Sequence, residues 1–289
     1  MRAVRSVSNP IIRPHMDDRM GDNVNGPSLI RVPDWVDSPL GRYYLYFAHH
    51  DGRYIRLGYA NDLEGPWKIH SAGVLTLKES RFIGHVASPD VHVDHDERRI
   101  RMYFHGADQP SGGRGLQCSR VAVSEDGLSF QCAGENLGAP YFRVFAWEGW
   151  HYAIAMPGII YRSRDGLTAF ERGPTWPTPN MRHTALALDR GVLTVYFTTV
   201  GDCPERIQQG RVDLARDWRE WTLEKVEDVL APELDYEGAS APRVPSTRGL
   251  VDGLAYQLRD PAIYREDGRT WLLYSVAGES GIALAELRD

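Results

Sequence analysis

Five stretches of the chain share one plan: an apolar strand, a polar turn, then an aromatic-rich strand. They read "PSLIRVPDWVDSPLGRYYLYFAHHD" (27–51), "SPDVHVDHDERRIRMYFHGAD" (88–108), "APYFRVFAWEGWHYAIAMPG" (139–158), "HTALALDRGVLTVYFTTVGD" (183–202) and "DPAIYREDGRTWLLYSVAGE" (260–279). A third candidate strand follows each: "YIRLGYAND", "RVAVSEDG", "IIYRSRDG", "IQQGRVDL" and "GIALAELRD". Apolar residues alternate with a period of two, as in "SLIRV" and "ALALD", which is the signature of a half-buried strand. Asp-Gly pairs close two of the third strands and mark tight turns. The best helical pattern, "LARDWREWTLEKVEDVL" (214–230), falls where the fourth unit needs an outer strand, and a strand is the preferred reading.

Five similar units of three or four strands predict an all-β chain folded as a five-bladed β-propeller; a two-sheet sandwich is the alternative architecture. Radial repetition limits exposed strand edges. Each unit can bury its faces only against its neighbours, so the blades cannot stand as separate domains. One domain is expected over residues 1–289, with blades at about 20–80, 85–135, 139–175, 180–232 and 257–289. Residues 8–14, "SNPIIRP", are the candidate for an added outer strand that closes the last blade.

Composition narrows the class. With 42% hydrophobic and 25% charged residues the chain can bury a large core. Its net charge of -6 and the lack of a basic stripe argue against a nucleic-acid partner. No apolar run reaches the roughly 18 residues needed to cross a bilayer. The N-terminus lacks the apolar stretch of a secretory leader. The three cysteines are odd in number and free of CxxC spacing, which offers neither a disulfide framework nor a zinc site. A cytoplasmic protein is expected.

Blade geometry gathers the chemistry. The beginnings of first strands and the ends of second strands should meet at one end of the axis. That brings in Asn25 and Gly26, then His85, Ser88 and Asp90, then Tyr141, Arg182, His183 and Asp260. From the second-strand ends come His49, His50 and Asp51, His105 and Asp108, Met156, Asp202 and Arg206, and Glu279. Acids, histidines and arginines at a channel mouth have the composition of a site.

At this point the sequence resembles a known group. "NGPSLIRVPDW…GRYYLYFAHHDGRYIRLGYANDLEGPW", "ASPDVHV" and "RDPAIYREDGRTWLLYSVAGESGIALAE" are similar to blades of the five-bladed glycoside hydrolases. These comprise the arabinanase- and xylosidase-like family 43 and its invertase- and levansucrase-like relatives. The resemblance covers roughly residues 20 to 285 and rests on short motifs in order. It implies a sugar-cleaving pocket with three carboxylates. One protonated carboxyl assists the leaving oxygen, and one ionised carboxylate activates water or attacks the sugar.

Carried over residue by residue, the resemblance implies Asp90 in "SPDV" as the orienting acid and Glu237 in "DYEGAS" as the general acid. Asp260, before Pro261, stands as base or nucleophile. Blade one departs from the family: it reads "NGPS" where the family has Asp-Pro-Ser, so Gly26 occupies the acid's place. Substrate contacts are expected from Asn25, His85, His105, Tyr141, Arg182, His183 and Glu279; Glu279 could also pair with Arg259. Trp147 and Trp150 flank the far turn of blade three and read as packing. No HxH or HExxH spacing supports a transition-metal site. No cofactor is therefore assigned, with a central calcium ion as the alternative. The expected partner is a small carbohydrate or glycoside. Two rival functions remain: a non-catalytic carbohydrate-binding propeller, and a lyase or isomerase working through histidines.

Overall fold

The computed structural model describes residues 2–108 and 116–288. Five antiparallel sheets stand in sequence order around an axis. Blade one runs outward through Asn25–Arg31, Tyr43–Ala48, Tyr54–Ala60 and Lys68–Ile69, with Leu75–Thr76 also beside the third strand. Blade two comprises Val86–Asp94, Arg99–Ala107, Gln117–Ser124 and Gln131–Cys132. Blade three comprises Arg143–Trp147, Trp150–Ala155, Ile159–Ser163 and Glu171–Thr175. Blade four comprises Met181–Asp189, Val192–Thr199, Ile207–Asp213 and Glu224–Leu230. Its outer strand lies in the ambiguous segment, preceded by the short 3-10 turn Trp218–Glu220.

Blade five takes three strands from the C-terminal part, Arg259–Glu266, Arg269–Ser275 and Ile282–Arg288. Its fourth strand is Arg2–Arg5, which pairs antiparallel with Ile282–Arg288. Closure therefore uses a segment earlier than the expected residues 8–14. Those residues contribute only a bridge from Ile12 to Ile282 and the Asn9 side chain, which bonds the Leu284 backbone. Pro10 and Pro14 lack the N–H that a continuous ladder needs.

The period-two alternation sends consecutive residues of the middle strands to opposite faces, and both faces are buried. In blade one Tyr44 and Tyr46 join the core shared with blade two, while Leu45 and Phe47 join the core shared with blade five. Tyr103 and Phe104, Tyr196 and Phe197, and Leu272 and Leu273 divide in the same way. One apolar cluster thus fills each of the five interfaces, which is why the sheets must form a ring. No helix is long and apolar enough to cross a membrane among the described residues.

Between blades four and five, residues 231–256 form an insertion without strands. Its 3-10 turn Asp235–Glu237 ends at Gly238, whose φ is +84°. A Cβ there would come within 2.1 Å of the Ala255 carbonyl oxygen, so the close approach requires glycine.

Candidate active site

One backbone device recurs where each inner strand begins. Gly26, Ser88, Tyr141, His183 and Asp260 all adopt left-handed φ values, between 46° and 66°. In blades one, two, four and five the strand pairing skips two residues at this point: 26–27, 88–89, 183–184 and 260–261. Such a bulge turns the strand and re-aims a side chain. Proline follows in three blades, where the ladder has no use for its missing donor. Four non-glycine residues at positive φ around one axis carry backbone strain of about 1–3 kcal/mol each, the kind that collects at functional sites.

These bulges surround a cavity of about 20 Å³, which has room for a single water molecule. Asn25, His85, His105, Tyr141, His183, Asp260 and Glu279 all line it, together with His50, Ser88 and Gln117. Seven of the ten residues given a catalytic or substrate role therefore converge, joined by His50 and Ser88, both expected at the same mouth.

Asp90, Arg182 and Glu237 do not line the cavity. Asp90 lies two residues beyond the left-handed Ser88, and its carboxylate accepts hydrogen bonds from the Val144 backbone and the His92 ring, both at 2.8 Å. Ser28 holds the matching place in blade one and accepts from the Val91 backbone at 2.9 Å. Both residues tether one blade to the next. Burial opposes ionisation of Asp90, but the charge and hydrogen bond of His92 and the charge of Arg143 hold its pKa below the usual range.

Arg182 is turned toward Glu205, which is fully buried and accepts from it through both oxygens. Its remaining nitrogen donates to the Thr247 carbonyl in the insertion.

Glu237 is fully buried behind blade five. It accepts from Arg5, from the Tyr274 hydroxyl and from the backbone of Glu233 and Leu234. Tyr274 belongs to the core between blades four and five, away from the axis. The place expected for a general acid is thus a saturated structural anchor.

The electrostatics inside the cavity are uneven. Burial, reinforced by the Glu279 charge, pushes the Asp260 carboxyl up from 3.8 to about 6. Asp260 accepts from the Ser275 hydroxyl at 3.1 Å. His183 Nδ1 lies 3.1 Å from its other oxygen, but without the alignment of a hydrogen bond. Burial holds both His183 and His105 well below 6.5, so both rings are neutral near pH 7. They flank the Tyr141 ring, with centroids 4.0 Å from it for His105 and 5.0 Å for His183.

Glu279 receives Arg259 at 3.0 Å, His50 Nδ1 at 3.1 Å and the Asn23 amide at 2.6 Å. Burial opposes its charge, but the His50 hydrogen bond and the charges of His50 and Arg259 keep its pKa low. Burial lowers the His50 pKa, but the hydrogen bond and charge of Glu279, with the charges of Asp51 and Asp260, outweigh it and leave the pKa above 6.5. Asp260 thus carries its charge above about pH 6, and the contact with Glu279 favours the protonated form of His50. Among the described residues no group of three or more His, Cys, Asp or Glu is placed to hold a metal ion.

The sequence suggests the Arg259–Glu279 pair and places His50 at a strand end. It gave no role to Glu205 or to His50 beside Glu279, because both depend on partners far away in the chain. The only signal was His50's position at the end of a second strand.

The ring defines a fold class: the five-bladed propellers with the fold of family-43 glycoside hydrolases. The family-43 subfamily-1 enzyme of Xanthomonas citri has a TM-score of 0.64 to this chain at 13% identity, covering 96% of this chain and 91% of that one. A glycosyl hydrolase from Bacteroides ovatus has a TM-score of 0.69 at 12% identity, covering 98% and 92%. The α-L-arabinanase of Cellvibrio cellulosa gives 0.62 at 13% identity, covering 92% of each chain. At these identities the likeness is one of fold. No protein-family model matches the sequence. The chain belongs to the same family as the uncharacterized protein R118 of Acanthamoeba polyphaga mimivirus, with 35% identity over 321 residues, 98% of this chain and 90% of that protein.

Proposed function

We propose that the chain hydrolyses a glycosidic bond at this central pocket, with Asp260 as base and His50 as acid. The observation that carries the reading is the arrangement of the cavity wall. A buried carboxyl from blade five and a carboxylate-bound imidazole from blade one face the same water-sized space. Asp260 would take a proton from the water as its oxygen bonds to the anomeric carbon. The bond to the leaving oxygen breaks, and His50 supplies that oxygen with a proton. Glu279 orients His50 and keeps it charged, in the manner of a carboxylate behind a catalytic histidine. Tyr141 and the neutral histidines His85, His105 and His183 would line the sugar's side of the pocket.

The cavity has room for one water but not for a sugar ring, so the sugar would sit at its mouth, above Asp260. A single water below the sugar fits direct displacement with inversion. Solved neighbours on this fold contain xylose, xylotriose and arabinohexaose, which directs the first screen to pentosides.

Aryl xylosides, arabinosides and glucosides, together with their oligosaccharides, should reveal turnover. Asp260→Asn and His50→Asn should each lower kcat by about 10²–10⁴-fold, the usual worth of a positioned acid or base. Glu237→Gln should retain kcat. If sugars bind but none is cleaved, and Asp260→Asn binds them equally well, the protein is a non-catalytic carbohydrate-binding propeller. That second reading draws on the family acid being replaced by Gly26.

A further inference from the structure

Arg182 stands next to His183, which lines the central cavity, yet Arg182 itself is turned away from that space. Its side chain is only 4% exposed, so its charge is buried. Both carboxylate oxygens of Glu205 accept from it, one from Nε at 2.8 Å and the other from Nη2. Such a two-point contact fixes direction as well as charge. Glu205 is anchored in turn. The Leu258 N–H donates to the Glu205 carbonyl at 2.9 Å, and Glu205 bridges to Gln257, on the backbone that leads into Asp260. Arg259 fills the other flank. It is fully buried, 3.8 Å from Glu205 and 3.0 Å from Glu279. The Thr247 carbonyl of the insertion accepts from Arg182 at 3.2 Å and from Arg259 at 3.5 Å.

A buried guanidinium that lost Glu205 would need another carboxylate, because an unpaired charge in the interior is costly. Two stand in the same surroundings, Glu279 and Asp260. Glu279 already receives Arg259, His50 and Asn23. Asp260 accepts from the Ser275 hydroxyl, while His183 lies beside its other oxygen without the alignment of a bond. Asp260 is therefore the acid with room for a further donor. The charges already act on one another. Burial opposes the charge of Arg182; Glu205 outweighs that penalty, and Asp260 and Tyr141 add to the effect. Burial and Glu279 raise the Asp260 pKa, against Arg259, Ser275 and Arg182. From blades three and one, Tyr141 and His50 also feel the Asp260 charge.

We propose that Glu205 is a positioning residue for the central site: it holds Arg182 off Asp260, so that the base stays free of an arginine and the water-sized cavity stays open. The inference rests on the reading of Asp260 as the base. Glu205 touches neither the cavity nor a substrate and acts through Arg182 alone.

NMR titration of the full chain, with carboxyl-labelled aspartate and ring-labelled histidine, tests it; Asp260→Asn and His50→Asn assign the two signals. Glutamine at position 205 keeps the shape, loses the charge and turns a donor toward one Arg182 nitrogen. In Glu205→Gln the Asp260 pKa should fall from about 6 by about one pH unit or more, since an arginine beside a carboxylate lowers it by about 1–3. His50 should keep its raised pKa, because Arg182 moves to Asp260 and leaves Glu279 with its three donors. A pocket that merely loosened would draw His50 back down toward 6.5 as well. When Glu205→Met is combined with Arg182→Met, apolar side chains replace the buried pair, an exchange that folds commonly tolerate. No guanidinium is then left to intrude, and Asp260 should titrate at or above its wild-type value. Where the single variant does not fold, the double variant decides alone. Three results would each overturn the inference: an unmoved Asp260 in Glu205→Gln, a joint retreat of Asp260 and His50 to ordinary values, or a lowered Asp260 in the double variant. The titration needs no substrate. The expected shift in a protein that cleaves no glycoside would sink the hydrolase and keep the hold on Arg182; turnover with Asp260 unmoved in Glu205→Gln would do the reverse.

Discussion

Replacing Glu237 by glutamine separates an anchor from an acid. One carboxylate oxygen accepts from Arg5 Nε and the Tyr274 hydroxyl; the other accepts from Arg5 Nη2 and the backbone of Glu233 and Leu234. An amide can present only one oxygen, so whichever side becomes NH₂ confronts two or three donors with another donor. Each orphaned buried donor costs about 1–3 kcal/mol. Breaking a buried ion pair costs about 3–5 kcal/mol, and the Arg5 side chain is only 16% exposed. A net loss of about 3–5 kcal/mol is expected. For 289 residues the unfolding entropy is roughly 0.6 kcal/mol per degree, so Tm should fall by about 5–8 °C. Differential scanning calorimetry reads the shift, and kcat measured well below Tm should stay near the wild-type value. A Tm within 1 °C of wild type, combined with a hundredfold loss of turnover, would refute this account and restore Glu237 as the acid.

Asp260→Asn should move stability in the opposite direction. The Asp260 pKa is raised in the folded chain from 3.8 to about 6, so its carboxyl costs the fold nothing at low pH, and the penalty builds between pH 3.8 and about 6 and is complete above that. Two units are worth about 3 kcal/mol at most. The variant should therefore melt up to about 5 °C higher at pH 8 and show no gain at pH 4; an equal effect at both would break the argument. Glu279→Gln should shift both limbs of the pH profile of kcat/KM to lower pH, because the Glu279 charge raises Asp260 and His50 alike. Limbs that stay in place, or move apart, would exclude the assigned roles.

Much of the fold is legible in the chain because it is written locally. "SLIRV" and "ALALD" alternate, the aromatic second strands carry apolar residues on both faces, and the plan recurs five times. The Asp260-Pro261 pair marks the mouth of a strand, and the structure adds that this strand begins with a bulge at a left-handed residue. Asp90 resembles the same motif, yet the residue that occupies Asp260's place in blade two is Ser88, two positions earlier. A shift of two residues keeps the face of a strand but changes its depth along the axis, and motif wording does not carry depth. Glu237 looks like an acid because a Glu-Gly pair sits in a long insertion. Arg5, 232 residues away in the chain, decides otherwise. Proline-bearing residues 8–14 look like a closing strand, whereas Arg2–Arg5 has the donors for an unbroken ladder.

The sequence by itself determined the strand plan, the fivefold repeat and the end of the blades at which acids and histidines gather. These follow from alternation and turn chemistry within a few residues. Only the tertiary structure decided which of those groups share a cavity, which carboxylate keeps a displaced pKa and which is silenced by an arginine. Ionisation and access depend on neighbours brought from distant blades, and no local pattern encodes who those neighbours are.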